Sequence, residues 1–210
     1  MIHKGLCLLM CCLTNVVHAA LPLCQQQICP EISLKTWKDY RDKQVVKQDF
    51  DFSCGAAALA TLLNGFYHQS YTEPQILEDM NKQDGKASFV DMAHVVEKYG
   101  FKAQGFALDY ATLSQLKVPV IVYLEHRKDS HFSVLSGISE SHVRLSDPSW
   151  GNRVLSKQAF LTMWETRTDK ALKGKILVVT PIKNMEIHSV FWQTPQPNFL
   201  LEQSVLWQKR

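Results

Sequence analysis

The stretch around Cys54 has the residue types that nucleophilic catalysis needs. Cys54 follows Ser53 and opens a run of glycine and alanine, so the pattern predicts a helix that begins at Cys54 with Ser53 as its N-cap. At a helix N-terminus the unpaired N–H groups and the helix dipole favour a thiolate, the form in which cysteine acts as a nucleophile. The same pattern also fits an inert buried cysteine, so the rest of the chain must supply a base.

A histidine and an aspartate later in the chain have the spacing of such a base and its orienting group. His131 opens an alternating run, and Asp147 follows it by sixteen positions. An antiparallel pair of strands would bring the two side by side, so that Asp147 binds one imidazole nitrogen and the other faces the sulfur. Gln48, six positions before Cys54, is the predicted side-chain donor to an oxyanion, with the Cys54 backbone N–H as the second donor.

Simpler interpretations of these residues stay open at this point. Taken alone, His131 also fits a structural histidine in a strand, and Asp147 fits a turn residue before Pro148. His126, Asp129 and His131 lie close together in the sequence, but their spacing matches no standard metal-ligand pattern. We therefore predict neither a metal nor a cofactor.

The elements that must position these residues divide into helices first and strands afterwards. Helical patterns begin at Cys54, at Glu73 after a Thr72 cap, and at Phe89 after a Ser88 cap. After Gly100 the period changes to that of strands, which predicts an α+β fold with N-terminal helices packed on an antiparallel sheet. Strands are predicted at residues 101–108, 118–124, 131–135, 142–145 and 175–180, with a short helix at 156–164 between the last two.

The stretch before Gln48 gives weaker signals. Trp37 and Tyr40 are expected to anchor it by burying their rings, and residues 44–47 are a candidate short strand. The far end of the chain, residues 181–210, contains Pro195, Pro197 and two tryptophans. It is predicted to be an appended tail that either packs on the domain or binds elsewhere.

Residues 1–19 have the pattern of a secretory signal peptide. Lys4 gives a positive start, an apolar run follows, and small residues precede a predicted cleavage site after Ala19. An uncleaved membrane anchor is the alternative, and a lipoprotein signal fits less well because the large Met10 precedes Cys11. The chain is therefore predicted to be exported to the periplasm or beyond, with membrane contact only through an uncleaved signal segment.

Signal removal would leave three of the six cysteines, Cys24, Cys29 and Cys54. In an oxidising compartment Cys24 and Cys29 are close enough in sequence to pair, which leaves Cys54 as the odd, reactive thiol. The alternative is a disulfide from Cys54 to one of the other two, which would leave no nucleophile.

Charge and organisation exclude several classes of protein. Loss of Lys4 lowers the formal net charge from +3 to +2, which is too close to balance to indicate nucleic-acid binding. There is no P-loop or second long apolar run, so a fused ATP-driven transporter is not expected. We predict a signal peptide at 1–19, an N-terminal segment at 20–44, one catalytic domain at 45–180 and a tail at 181–210. The sequence does not indicate an oligomeric state.

The ordered motifs resemble those of a known family. Q-x5-C-G-x-A, then H-F-x-V, then D-P together resemble the bacteriocin-processing, double-glycine leader peptidases, family 39 of the cysteine peptidases. Gly151 and Trp164 also lie where members often have glycine and tryptophan. The resemblance implies a papain-like fold, Cys54 as nucleophile, His131 as base, Asp147 as its orienting group and Gln48 as oxyanion donor.

The functional expectation follows from the motifs together with the export signal. We expect an exported thiol peptidase that cleaves a protein or peptide substrate after small residues such as Gly-Gly or Gly-Ala, because the resembling family has a narrow cleft. An amidase or acyltransferase with the same triad is one alternative, since papain-like sites serve several acyl transfers. A peptide-binding module with an unused triad is the other.

Overall fold

The computed structural model of the protein describes residues 35–81, 86–126, 129–169 and 171–195. Contacts divide the chain after Thr36, and the fold described below is that of the second unit, which begins at Trp37. The predicted signal peptide and the predicted Cys24–Cys29 disulfide lie outside the described residues.

Helices occupy most of the first half of this unit, as the periodicity predicts. The helix of Cys54 begins at that residue, and the next two helices have complete capping boxes at Thr72 and Ser88. Two further helices, before Cys54 and after the first strand, were not predicted. In chain order the helices are α1 Trp37–Arg41, α2 Cys54–Tyr67, α3 Glu73–Asp79, α4 Phe89–Lys98, α5 Tyr110–Leu113 and α6 Lys157–Trp164.

The second half forms one six-stranded sheet in which neighbouring strands are antiparallel. All five predicted strands are present, and one more, β5, follows the turn after Asp147. The strands are β1 Phe101–Leu108, β2 Val120–His126, β3 Asp129–Ile138, β4 His142–Asp147, β5 Gly151–Ser156 and β6 Gly174–Pro181. Their order in the sheet is β1-β6-β2-β3-β4-β5, and the α+β prediction is confirmed.

The sheet buries both of its faces, because side chains alternate along each strand. Ile121 and Val134 point to one face, where they pack with the buried residues of α2 and α4. Val122 and Leu135 point to the other, where they pack with Phe160 and Trp164 of α6. Helix α2 is apolar on almost every side and is buried along its length apart from Asn64, which suits a helix between the sheet and other helices.

Two expectations for the segment before Gln48 are wrong. Trp37 and Tyr40 are exposed, at 73% and 60% of their surfaces, because α1 is a single short turn that buries no residue. Residues 44–47 form no strand, and Gln44 has a positive φ of 58° that interrupts extended backbone.

The described part of the C-terminal tail packs on the domain. A 3-10 turn at Ser189–Phe191 places the Phe191 ring against Gly65 of α2, where an added Cβ would lie 2.3 Å from the ring. The backbone N–H of His188 donates to Phe66, and that of Gln193 donates to Ser136 of β3. The tail therefore joins the helix that begins with Cys54 to the strand that carries His131.

Across the described ranges, no helix combines the length and the apolar character needed to cross a membrane.

Candidate active site

Helix α2 holds Cys54 as a free thiol at its first turn, with only 2% of the residue exposed. Gly55 allows this packing, because a Cβ there would lie 2.8 Å from the Met92 methyl group and 2.9 Å from Ala87. Ser53 occupies the N-cap position as predicted, but its side chain makes no capping hydrogen bond. The Ser53 hydroxyl instead donates to the Phe50 carbonyl and accepts from its N–H, since residues 50–53 already form a turn that folds the side chain back.

Strands β3 and β4 bring His131 and Asp147 together, as their spacing predicts. His131 Nε2 lies 3.0 Å from Asp147 Oδ1. An ionised carboxylate can only accept, so this nitrogen carries the proton. His131 and Cys54 are also close enough that each shifts the pKa of the other. With Nε2 on Asp147, Nδ1 is the nitrogen left for the sulfur. The structure thus places Cys54, His131 and Asp147 in one row.

The electrostatics of this row favour a thiolate–imidazolium pair. Burial raises the pKa of Cys54, but hydrogen bonds from His131 and the Phe132 N–H, with the charges of His131 and Lys86, lower it below its usual range. Burial likewise opposes the charge on His131, yet its bonds to Asp147 and Cys54 raise its pKa to about 9. His131 is therefore protonated at neutral pH.

Asp147 is fully buried and stays ionised. Burial alone would raise its pKa, but the hydrogen bond and charge of His131, the charge of Arg153 and the Trp150 N–H lower it to about 2. Its Oδ1 also accepts from the backbone N–H groups of Ser149 and Trp150, at 3.0 and 3.1 Å. The turn at Asp147-Pro148 thus supplies two backbone N–H donors to this carboxylate.

Gln48 lies on the wall of the same cleft as His131. Its amide Nε2 donates to the Phe50 carbonyl at 3.0 Å, and its Oε1 accepts from the Ser149 hydroxyl at 2.7 Å. The side chain is therefore held in the turn that precedes Cys54. The amide has two N–H donors, so one remains for an oxyanion while the other stays on the Phe50 carbonyl.

An open cleft of about 600 Å³ lies beside His131. Its walls come from the turn before α2, the ends of β2 and β3, the D-P turn and α6. Both signs of charge and several apolar groups line it: Gln48, Asp51, Phe52, Lys86, Leu124, His126, Asp129, Ser130, His131, Ser149, Trp150, Arg153 and Met163.

Sequence reasoning missed two cations at this site. Arg153 donates to Asp147 Oδ2 at 3.0 Å, and Lys86 acts on Cys54 through its charge. Arg153 stands on β5, the strand that was not predicted, so nothing suggested that it returns to Asp147. The residues from Gly151 to Ser156 do not alternate between apolar and polar types, so the sequence gives no clear signal for this strand.

Gly151 and Trp164, which the resemblance singled out, have structural roles next to the site. Gly151 has a φ of 77°, and a Cβ there would lie 2.5 Å from Asp42 and 2.7 Å from the Arg41 carbonyl. It therefore lets α1 approach the turn after Asp147. The Trp164 ring lies flat against Gly174, where a Cβ would be 2.1 Å away, and its Nε1 donates to the Lys175 carbonyl.

His126, Asp129 and His131 do not form a metal site. In the ranges that the structure describes, no cluster of three or more histidine, cysteine, aspartate or glutamate side chains is arranged to hold a metal ion.

Comparison with known sequences gives a family match over most of the described domain. The profile of the Peptidase C39 family matches residues 42–169. Two similar curated proteins are each described as "Probable functional amyloid protease FapD". The Pseudomonas fluorescens protein is 35% identical over 135 residues and the Pseudomonas aeruginosa protein 34% over 134 residues. Each match covers 60% of this chain and 59% of the relative, so the chain spans about three fifths of these relatives' length.

Solved structures support the fold. The peptidase domain of Streptococcus ComA, a bifunctional ABC transporter of a quorum-sensing pathway, has a TM-score of 0.56 at 22% identity. The match covers 65% of this chain and 97% of that domain. A double-glycine-motif protease from an AMS/PCAT transporter, solved with its leader peptide, has a TM-score of 0.51 at 23% identity and covers 65% and 90%.

The predicted family and its fold are thus confirmed, and with them the class of enzyme, a cysteine peptidase. The profile match spans more than half of the chain and contains Gln48, Cys54, His131 and Asp147. The chain belongs to the peptidase C39 family.

Proposed function

We propose that this chain is an exported thiol peptidase in which Cys54, His131 and Asp147 act as a catalytic triad. The observation that carries the proposal is the row of side chains from the buried Asp147, hydrogen-bonded to His131, to Cys54, which shares electrostatic interactions with His131, beside an open cleft. A nucleophile bound to a base that a third group orients is the arrangement that acyl transfer requires.

In the proposed reaction the Cys54 thiolate attacks the carbonyl carbon of the scissile peptide bond. Charge develops on the carbonyl oxygen, where the Gln48 amide and the Cys54 backbone N–H are the proposed donors. The imidazolium of His131 then protonates the leaving amine, and the carbon–nitrogen bond breaks to leave a thioester on Cys54. His131, neutral after it has protonated the amine, then takes a proton from water as the water attacks the thioester carbon. The carbon–sulfur bond breaks, which releases the acyl product and restores the thiolate–imidazolium pair.

The proposed substrate is an exported protein or peptide with a small residue before the cut. Cys54 is 2% exposed and the start of α2 is closely packed, so a slender chain reaches the sulfur more easily than one with branched side chains. The double-glycine-motif protease has been solved with a leader peptide, and the Pseudomonas relatives are described as probable amyloid proteases. The signal-like residues 1–19 support an exported rather than a cytoplasmic substrate.

The experiment is a peptide library profiled with the wild-type chain and with Cys54→Ala. We expect cleavage after Gly-Gly or Gly-Ala, loss of cleavage when the residue before the cut becomes Val, and no turnover by Cys54→Ala. A preference for large or charged residues at that position would overturn the proposed specificity. Transfer of the acyl group to added amines without hydrolysis would instead assign the chain to the acyltransferases.

A further inference from the structure

Arg153 is a second cation on the carboxylate that holds His131. Its Nη2 lies 3.0 Å from Asp147 Oδ2, while His131 occupies Oδ1 at the same distance. The Arg153 Nε is buried and has no hydrogen-bond partner among the described residues. The buried part of the guanidinium is therefore directed to Asp147 alone, and 27% of the side chain is exposed at the wall of the cleft.

The register of β4 and β5 explains this contact. Leu145 pairs with Arg153, and Asp147 pairs with Gly151. Arg153 and Asp147 therefore lie on one face of the sheet as diagonal neighbours, a separation that a long side chain can bridge. Gly151 lies directly opposite Asp147 and has no side chain that could compete with Arg153 for the carboxylate.

Asp147 does not need Arg153 to keep its place. Its Oδ1 is already bound by the N–H groups of Ser149 and Trp150, which belong to the turn after β4. What Arg153 adds is a positive charge on the outer oxygen of the carboxylate. A carboxylate shared between two cations stabilises each of them less than it would stabilise one alone.

We infer that Arg153 is a positioning residue that acts on His131 through Asp147, limiting how firmly the imidazolium holds its proton. This inference rests on the proposed function, in which His131 must both keep a proton beside the Cys54 thiolate and release it to the leaving amine. An unshared Asp147 would favour the first task at the expense of the second. Arg153 moves the balance toward release.

Other charged groups also face this row, and they supply the controls. Lys47 acts on Asp147 only through its charge, because its ammonium binds the Ser149 carbonyl and lies 4.0 Å from Asp42. Lys86 acts on the sulfur, and its ammonium is 3.4 Å from the Ser130 hydroxyl. Groups on the neighbouring elements that line the cleft are Asp51, His126 and Asp129.

The test is the rate at which iodoacetamide alkylates Cys54 between about pH 4 and pH 10.5, followed by intact mass. Free thiolate and thiolate paired with imidazolium react at different rates, so the profile has an upper step where His131 loses its proton. We expect Arg153→Met to move that step upward by about one pH unit. The substitution removes a positive charge that only the Asp147 carboxylate separates from the imidazole. Arg153→Lys keeps the charge and should leave the step near its wild-type position. Lys47→Met should move it less than Arg153→Met does.

A second readout separates this role from substrate binding. On a Gly-Gly peptide, Arg153→Met should lower kcat with KM unchanged, because the affected step is proton release. An unchanged upper step in Arg153→Met would overturn the inference, as would a downward shift, an equal shift in Arg153→Lys or the absence of any such step in the wild type. If Arg153→Met does not fold, Arg153→Gln provides the same loss of charge with a polar side chain.

The alkylation assay requires no peptide substrate. A chain that shows the expected shifts but cleaves no peptide would retain this inference and lose the proposed peptidase function. A chain that cleaves peptides without the shifts would do the reverse.

Discussion

At the residue scale, the proposed reaction has two requirements that meet at the short turn before Cys54. In the proposed reaction the thiol needs a base, the role proposed for His131, and the developing oxyanion needs donors that the turn before α2 must present. Gln48 belongs to that turn and is held by Ser149 from the D-P turn. The Gln48 backbone N–H also donates to the Pro148 carbonyl and the Lys47 ammonium to the Ser149 carbonyl, so several hydrogen bonds join the two turns that flank the cleft.

Gln48→Ala tests the oxyanion role at this scale. We expect kcat on a Gly-Gly peptide to fall by about 10²–10³-fold, because one of two oxyanion donors is removed. The free energy of unfolding should fall by only about 1 kcal/mol, since the half-buried side chain loses its bonds to Phe50 and Ser149 and leaves no large cavity.

Ser149→Ala is the matched control for that change. It removes the hydroxyl that holds Gln48 Oε1 and leaves the amide itself in place, so kcat should fall far less. If Gln48→Ala retains full activity while Ser149→Ala loses it, Ser149 rather than Gln48 serves the site.

Asp147 gives a prediction about pH at the same scale. Its pKa is lowered to about 2 in the folded chain, so its ionised form stabilises the fold above its unfolded pKa of about 4. That contribution, on the order of 2 kcal/mol, is lost as the pH falls from about 4 to about 2. Urea denaturation across this range should show the loss in the wild type.

Asp147→Asn provides the comparison. It should be less stable at neutral pH and should show a smaller further loss between about pH 4 and pH 2, because the group that titrates is gone. Parallel pH profiles for the two proteins would show that another carboxylate, such as Asp42, accounts for the acid sensitivity.

At the element scale, the C-terminal tail packs on α2 and β3 at one glycine of each. Phe191 lies on Gly65 of α2, and the Gln193 carbonyl lies where a Cβ of Gly137 on β3 would be. Helix α2 begins with Cys54 and β3 carries His131. A segment that spans both therefore contributes to the spacing of nucleophile and base.

Phe191→Ala should destabilise the domain by about 3–5 kcal/mol, because a fully buried aromatic ring is removed and leaves a cavity. Val190→Ala, a change at a neighbouring residue that is 62% exposed, should stay within about 0.5 kcal/mol. Urea unfolding monitored by circular dichroism measures both. Equal effects of the two substitutions would mean that the tail does not hold the domain.

Much of this level was predictable from the sequence, and the misses have physical causes. Helices α2, α3 and α4 follow from periodicity and from the Thr72 and Ser88 caps, which are local signals. Ser53 is at the predicted N-cap position, but its hydroxyl does not cap the helix, because it binds the backbone of Phe50 within the preceding turn. Strand β5 is absent from the prediction because Asp147-Pro148 indicates a turn without showing that the chain reverses after it and pairs with β4.

At the scale of the whole molecule, the family motifs predicted the row of Cys54, His131 and Asp147, and the sheet produces it by antiparallel pairing. Sequence reasoning could not reach Arg153 or Lys86, because each acts through a tertiary contact that no motif encodes. The docking of the tail could not be predicted either. Nothing in the sequence shows that Phe191 packs on the glycine at position 65 or that Gln193 packs on the glycine at position 137.

The central claim is that Cys54 is a nucleophile in a cleft that admits small residues. The most direct measurement is the intact mass and peptide map of the chain after incubation with a Gly-Gly vinyl sulfone, beside the matched Gly-Val reagent. We expect one adduct, on Cys54, formed rapidly with Gly-Gly, slowly with Gly-Val, and strongly reduced in His131→Ala. Labelling at another residue, equal rates for the two reagents, or unchanged labelling in His131→Ala would contradict the account.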